Sequence, residues 1–341
     1  MDLPTLWFAI IATLWIIYLL LEGFDLGVGM HMLITARGDQ ERRLMLNTIG
    51  PVWDGNEVWL ITAAAATFAA FPDWYASLFS GLYLPLLVVL VGLIVRAVAI
   101  EYRGKVAHPR WAAGWDAGIG IGSFVVAFGV GAALALTTTG LPLDAQGDRV
   151  GGAFSWFSPM AIVGGLAVVG FCLVHGATFL ALKTEGAVRE RAGRRAARWA
   201  PVALLPMGAW AVVVQLQRGS AVTAVLTGLA IVSAVLGWWA ARRRHEGPAF
   251  LGIAGFVVLG AAGIFAAVYP VVLPSTLSPA WDLTVGDAAS SPYTLGVMTV
   301  ITACALPVIL GYQAWSYWVF RRRLRVEQLP EGHAFAAAVR R

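Results

Sequence analysis

Long apolar runs, broken at intervals by short polar clusters, set the plan of this chain. Runs long enough to cross a bilayer, about 20 residues each, begin near Leu6, Val58, Leu78, Ala117, Pro159, Trp199, Val222, Phe250 and Thr294. Pro/Gly, Trp or charge clusters of the kind that end helices lie between them. The pattern predicts nine helices, at 6–32, 54–71, 78–100, 116–138, 158–182, 199–216, 221–241, 249–269 and 293–320. The second, "VWLITAAAATFAAF", is short and Ala-rich, which suits packing against protein better than lipid. No stretch has the mixed polarity of a separate soluble domain. The fold class is therefore all-α, a polytopic membrane protein whose residues 1–341 form one transmembrane domain. Nine helices admit two four-helix bundles plus one peripheral helix.

Lys and Arg give this plan an orientation. The connections after the first, third, fifth and seventh helices carry "ARGDQERR", "EYRGKVAHPR", "KTEGAVRERAGRRAAR" and "RRRHE", and the tail runs from "RRRLR" to Arg340 and Arg341. The alternate connections hold only Arg149 and Arg218 as positive charges. The positive-inside rule then places the N-terminus outside and the C-terminus in the cytoplasm. The fifth connection is basic enough to lie along anionic headgroups. The first helix has no basic leader and no convincing cleavage site behind it, so it is expected to stay in the mature chain. The longest outer connection, "VYPVVLPSTLSPAWDLTVGDAASSPYT", reads as a capped loop or a docking element.

Composition changes the picture only in degree. The chain is 59% hydrophobic and 13% charged, against roughly 25% charged in soluble domains. The net charge of +5 resides in short loops and is no signal for nucleic acid. Cys172 and Cys304 lie in apolar runs and read as small apolar residues. Most of the 15 tryptophans fall near span ends, as an aromatic belt requires.

The candidate chemistry lies in acids at the inner border. Glu22 and Asp25 are ~25 and ~30 Å along the first helix from residue 5, three residues apart and so on one face. Gly23 and Gly27 form a small-xxx-small pair that lets another helix approach them. Asp54 and Glu57 begin the second span, Arg96 and Glu101 end the third, and Asp116 begins the fourth. Ionisable groups within a membrane domain usually line a proton, ion or substrate path. Two milder readings stand beside this one. Asp54-Gly-Asn-Glu57 fits a capping box, and Arg96 suits a counter-ion for one of the acids. His175 is the one histidine inside a span, reads as a packing residue, and leaves the chain short of haem ligands. Any redox cofactor is then expected in another chain.

The stretches "LLEGFDLGVGM" at 20–30, "ERRLMLNTIGPVWDGNEVWLITAAAATFAAFPDWYA" at 41–76, "EYRGK" at 101–105, "WDAGIGIGSF" at 115–124, "YPVVLPST" at 269–276, "WDLTVGDAASSPYTLGVMT" at 281–299 and "AWSYWVF" at 314–320 together resemble subunit II of the cytochrome bd-type quinol oxidases. The likeness covers essentially the whole chain. It implies a bacterial cytoplasmic-membrane complex that oxidises quinol and reduces oxygen to water without pumping. It further implies a heterodimer with a sister subunit I that carries haems b and d, so that this chain binds none alone. A structural quinone, membrane lipids and small accessory subunits are further partners it allows. In this family Asp54 matches an acid proposed to begin a cytoplasmic proton path, and Asp25 a second acid on it. Trp59 matches a tryptophan that lines an oxygen channel in some members. Position 57 can be Gln in relatives, which argues against an obligatory role for Glu57. From the residues alone, a proton-coupled secondary transporter and a purely structural subunit remain alternatives.

Overall fold

The computed structural model describes residues 2–329; Arg340, Arg341 and the loop histidine His333 lie outside them. Helices dominate: α1 (Leu3–Ile34), α2 (Asp39–Ile49), α3 (Trp53–Ala70), α4 (Pro72–Gly81), α5 (Tyr83–Tyr102), α6 (Pro109–Thr139), α7 (Pro159–Lys183), α8 (Gly186–Ala203), α9 (Leu205–Arg218), α10 (Ala221–Arg242), α11 (Glu246–Val268), α12 (Val285–Ala288) and α13 (Pro292–Val319). Asp2, Ser158, Ser220 and Ser291 cap α1, α7, α10 and α13 through their side chains, which is why those helices start where they do.

Eight helical segments among the described residues are long and apolar enough to cross a membrane, with α8 and α9 acting as one. The ninth expected segment, α3, forms a helix but is not among the eight. The polar Asp54, Asn56 and Glu57 in its first turns lower its hydropathy.

Two connections are more ordered than the sequence suggested. The basic stretch after α7 is not a loop but the helix α8, which buries Val188, Ala192, Ala196 and Ala200 along one stripe and leaves its arginines to other faces. The outer connection contains a two-stranded antiparallel ribbon, β1 (Val271–Leu273) with β2 (Leu283–Thr284), followed by α12.

α1 is the hub, packing on α3, α6, α7 and α11. α6 packs on α7 at least as extensively as on α5, so the contacts do not divide cleanly into two bundles at that connection. α13 is peripheral, with 6% of its most apolar window buried. Lipid is as apolar as a leucine surface, so close van der Waals fit holds such helices together. At the α1–α7 crossing, a Cβ on Gly27 would strike the Cys172 carbonyl and lie 2.9 Å from Gly176 Cα. We expect Gly27→Ala to lower the midpoint of thermal unfolding, at a cost of about 1–3 kcal/mol or more. An unchanged midpoint would show that α1 and α7 can separate freely.

Candidate functional site

The sequence-derived acids divide into three environments. Glu22 and Asp25 face inward from α1, both 0% exposed. On α3 the buried positions are Asn56, Trp59, Ala63, Thr67 and Ala70, one continuous stripe. Asp54 lies two residues, about 200°, from Asn56 around that helix, and is exposed. Glu57 sits at the edge of the stripe and is half-buried.

Arg96, on α5, ties the inner group together. It is 0% exposed, and its Nη1 lies 2.8 Å from Glu22 Oε1 and 2.9 Å from Glu57 Oε2. The Glu57 contact is a directed hydrogen bond. The Glu22 contact falls outside hydrogen-bond geometry and acts through charge. The guanidinium also stands 5.9 Å from the Trp53 ring centroid. Three helices thus meet at one cation.

One turn further along α1, Asn56 Nδ2 donates to Asp25 Oδ2 at 2.6 Å. Asn56 Oδ1 in turn accepts from Gln313 Nε2 at 2.9 Å and from the Tyr317 hydroxyl at 2.7 Å, both on α13. Asn56 therefore positions Asp25 while its own amide is satisfied. The sequence reading passed over Asn56, Gln313 and Tyr317. Their signal was present, since buried amides in a membrane domain need partners. Several buried polar atoms have no hydrogen-bond partner among the described residues: Asp25 Oδ1, both Glu22 oxygens, Arg96 Nε and Nη2, and the Tyr18 hydroxyl one turn from Glu22. Buried polar atoms are normally hydrogen-bonded, so this concentration of orphans sets the group apart from the apolar core around it.

Three expectations change. Asp54 is not an N-cap: Val52 precedes the helix, no side chain caps it, and Asp54 Oδ1 accepts from the next backbone N–H, Gly55, at 2.7 Å. The Asp54/Glu57 capping box is thus absent, because Glu57 turns to Arg96 instead. Asp116 does not join the inner acids. It takes both Nε and Nη2 of Arg103 at 2.5 and 3.2 Å, and Arg103 also reaches Asp39 at 2.7 Å. Burial alone would lower the Arg103 guanidinium, but the hydrogen bonds and charges of Asp116 and Asp39 outweigh it and raise it above the ordinary arginine value. Glu101 points to the exterior.

Trp59 is 4% exposed and part of the apolar core beside Ala63. His175, the histidine within a span, is buried on α7. Its ring is stacked on Phe171 and Phe250, with centroids 5.0 and 4.6 Å away, and Nε2 donates to the Leu20 carbonyl at 3.1 Å. Two aromatic rings and one hydrogen bond thus hold the imidazole as a packing residue, and its Nδ1 has no hydrogen-bond partner among the described residues. His31 likewise donates to the Leu173 carbonyl at 2.8 Å and stacks on Trp199.

Comparison with known proteins bears on what this arrangement serves. The family described as "Cytochrome bd terminal oxidase subunit II" matches residues 3–320. "Cytochrome bd ubiquinol oxidase subunit 2" of Bacillus subtilis is 38% identical over 328 residues, covering 95% of this chain and 97% of that one. "Cytochrome bd-I ubiquinol oxidase subunit 2" of Escherichia coli K12 is 33% identical over 367 residues, covering 95% and 96%. A chain of the bd oxidase structure from Geobacillus thermodenitrificans superposes with a TM-score of 0.77 at 18% identity, covering 94% of this chain and 99% of that one, and so shares its fold.

Proposed function

The chain belongs to the cytochrome bd terminal oxidase subunit II family, and from that premise we propose that it gathers protons for oxygen reduction through Asp54, Asp25 and the Glu22–Arg96–Glu57 cluster. It is a multi-pass bacterial membrane protein and one subunit of an oxidoreductase complex. Membership sets aside the transporter reading.

The observation that carries the proposal is the buried group itself. Glu22 and Glu57 share the Arg96 guanidinium, and a third carboxyl, the buried Asp25, lies one turn along α1 from Glu22, held by Asn56. A cluster with more carboxyls than cations can take up and release protons, whereas a purely structural pair would be balanced. In this reading Asp25, oriented by Asn56, is the relay, Arg96 holds Glu22 and Glu57 in register, and Asp54 is the first acceptor. Asp54 shares an α3 face with Val58 and Ile61, both exposed. A carboxylate on an otherwise apolar membrane face is costly in lipid. This favours a covered face, so we place the sister subunit there and Asp54 at the boundary.

We assign the haems and quinol oxidation to that sister subunit, as the resemblance to the family implies. The haems supply the electron and oxygen chemistry when bound. Trp59 is carried as a lining residue of an oxygen path, supported by its apolar surroundings.

The test is oxygen consumption by the purified two-subunit complex carrying Asp54→Asn, beside its reduced-minus-oxidised haem spectrum. We expect an intact spectrum and turnover reduced several-fold, less than for the buried relay Asp25, because cytoplasmic water can stand in for a first acceptor at the edge of the boundary. Full turnover would remove Asp54 from the path. A structural reading of the Arg96 cluster has one observation in its favour, the joining of α1, α3 and α5 at a single side chain. It predicts that Glu22→Gln alters unfolding but not turnover.

A further inference from the structure

A cavity of about 270 Å³ opens between the first turns of α8 and α11 and the last turn of α10. Arg189, Arg194, Arg244, Glu190 and Glu246 line it, and small side chains such as Ala196 and Ala241 floor it. Its carboxylates are already answered within the chain. Glu246 meets Arg189 at 2.7 Å through one oxygen and Arg323 at 3.0 Å through the other. Glu190 pairs with Arg194 at 3.3 Å. Three guanidiniums therefore share two carboxylates, and a fourth, Arg244, lines the same cavity. Arg244 is the one with no side-chain hydrogen bond or ion pair among the described residues.

Two long-helix N-termini add to the positive field. Gly186 and Glu246, the first residues of helices of 18 and 23 residues, both line the cavity. Neither helix has a side-chain cap: Glu185 and His245 at the N-cap positions make no capping hydrogen bond. Free backbone N–H groups at a helix start bind anions. An exposed, unpaired guanidinium and two uncapped helix starts thus border one open cavity.

We propose that this cavity binds the phosphodiester of an anionic phospholipid, with Arg244 and the helix N–H groups on the phosphoryl oxygens and the glycerol over the alanine floor. A free phosphate offers the same oxygens. The lipid is favoured because the site lies at the ends of the membrane-crossing helices α10 and α11, where headgroups are concentrated, and because its floor is apolar.

The experiment is native mass spectrometry of the delipidated two-subunit complex with phosphatidylglycerol, phosphatidylcholine or inorganic phosphate added. Arg244 has φ 61°, a conformation glycine adopts freely, so Arg244→Gly removes the side chain without straining the fold. Phosphatidylglycerol should be retained over phosphatidylcholine. Arg244→Gly should lower that retention about tenfold, the ratio for one charge-assisted hydrogen bond. Arg194→Gln should weaken it in the same sense, and Arg110→Ala, in another basic loop, should leave it unchanged. Equal retention of the two lipids, or of phosphatidylglycerol by wild type and both cavity variants, overturns the proposal. Inorganic phosphate bound without retention of phosphatidylglycerol assigns the site to a soluble anion and overturns the lipid.

Discussion

Asp25→Asn is expected to reduce oxygen turnover of the two-subunit oxidase about a hundredfold, the lower end of what a positioned proton-transfer group contributes, while leaving the haem spectrum intact. The substitution is nearly isosteric. Asn56 can still donate to the new amide oxygen as it does to Asp25 Oδ2 at 2.6 Å, so the packing of α1 against α3 survives. Only the capacity to hold and release a proton is lost. Asp25 Oδ1, the oxygen without a partner, is the atom from which a proton would move on. The companion variant Asn56→Leu separates position from protonation. It leaves the carboxyl in place but unoriented, and strands Gln313 and Tyr317 on α13. Its turnover should fall less than that of Asp25→Asn. Full turnover of Asp25→Asn at normal haem content would end the proton-relay reading.

Arg96→Leu is the second large effect, and it falls on stability. The guanidinium is fully buried between Glu22 and Glu57. Its removal leaves carboxyls without their cation in a medium that does not solvate them. Breaking a buried pair from one side costs about 3–5 kcal/mol. We expect the complex to unfold at markedly lower temperature or to fail to assemble. Adding Glu22→Gln and Glu57→Gln to Arg96→Leu removes the stranded charges and should recover most of the loss, as replacement of a whole buried ionic group commonly does. Thermal unfolding followed by haem absorbance reads both. A triple variant no more stable than Arg96→Leu would show that Arg96 acts through its shape or its place over Trp53 rather than through charge.

Much of this organisation is legible in the residue pattern, for definite reasons. Glu22 and Asp25 lie three apart in an apolar run beside Gly23 and Gly27, and a helical period alone directs such a set toward a neighbouring helix. The structure places both carboxyls in the interior and the glycines against α7. Arg96 as counter-ion was likewise readable, since an arginine inside a span needs an acid nearby. Which acid it meets was not. Glu22, Glu57 and Asp116 are all plausible by level. The choice is made by Arg103, which captures Asp116 with two hydrogen bonds.

α8 shows a different limit. Its arginine density suggests a headgroup-bound loop, yet Val188, Ala192, Ala196 and Ala200 recur every fourth residue and form the buried stripe of a helix. The stripe was visible, but small side chains carry a weak hydropathic signal. Its burial depends on partners supplied by α7 and α10.

By itself, then, the sequence determined that this is a helical membrane chain, which residues carry charge into it, and which family motifs it holds. These properties depend on composition and on the 3.6-residue period, both local. The tertiary structure alone decided that Asp54 turns outward while Asn56 turns in, that Glu57 leaves a cap for Arg96, and that α13 reaches Asp25 through Asn56. Each depends on how helices rotate about their axes against one another, and that rotation is set by contacts between residues as far apart as Asn56 and Tyr317.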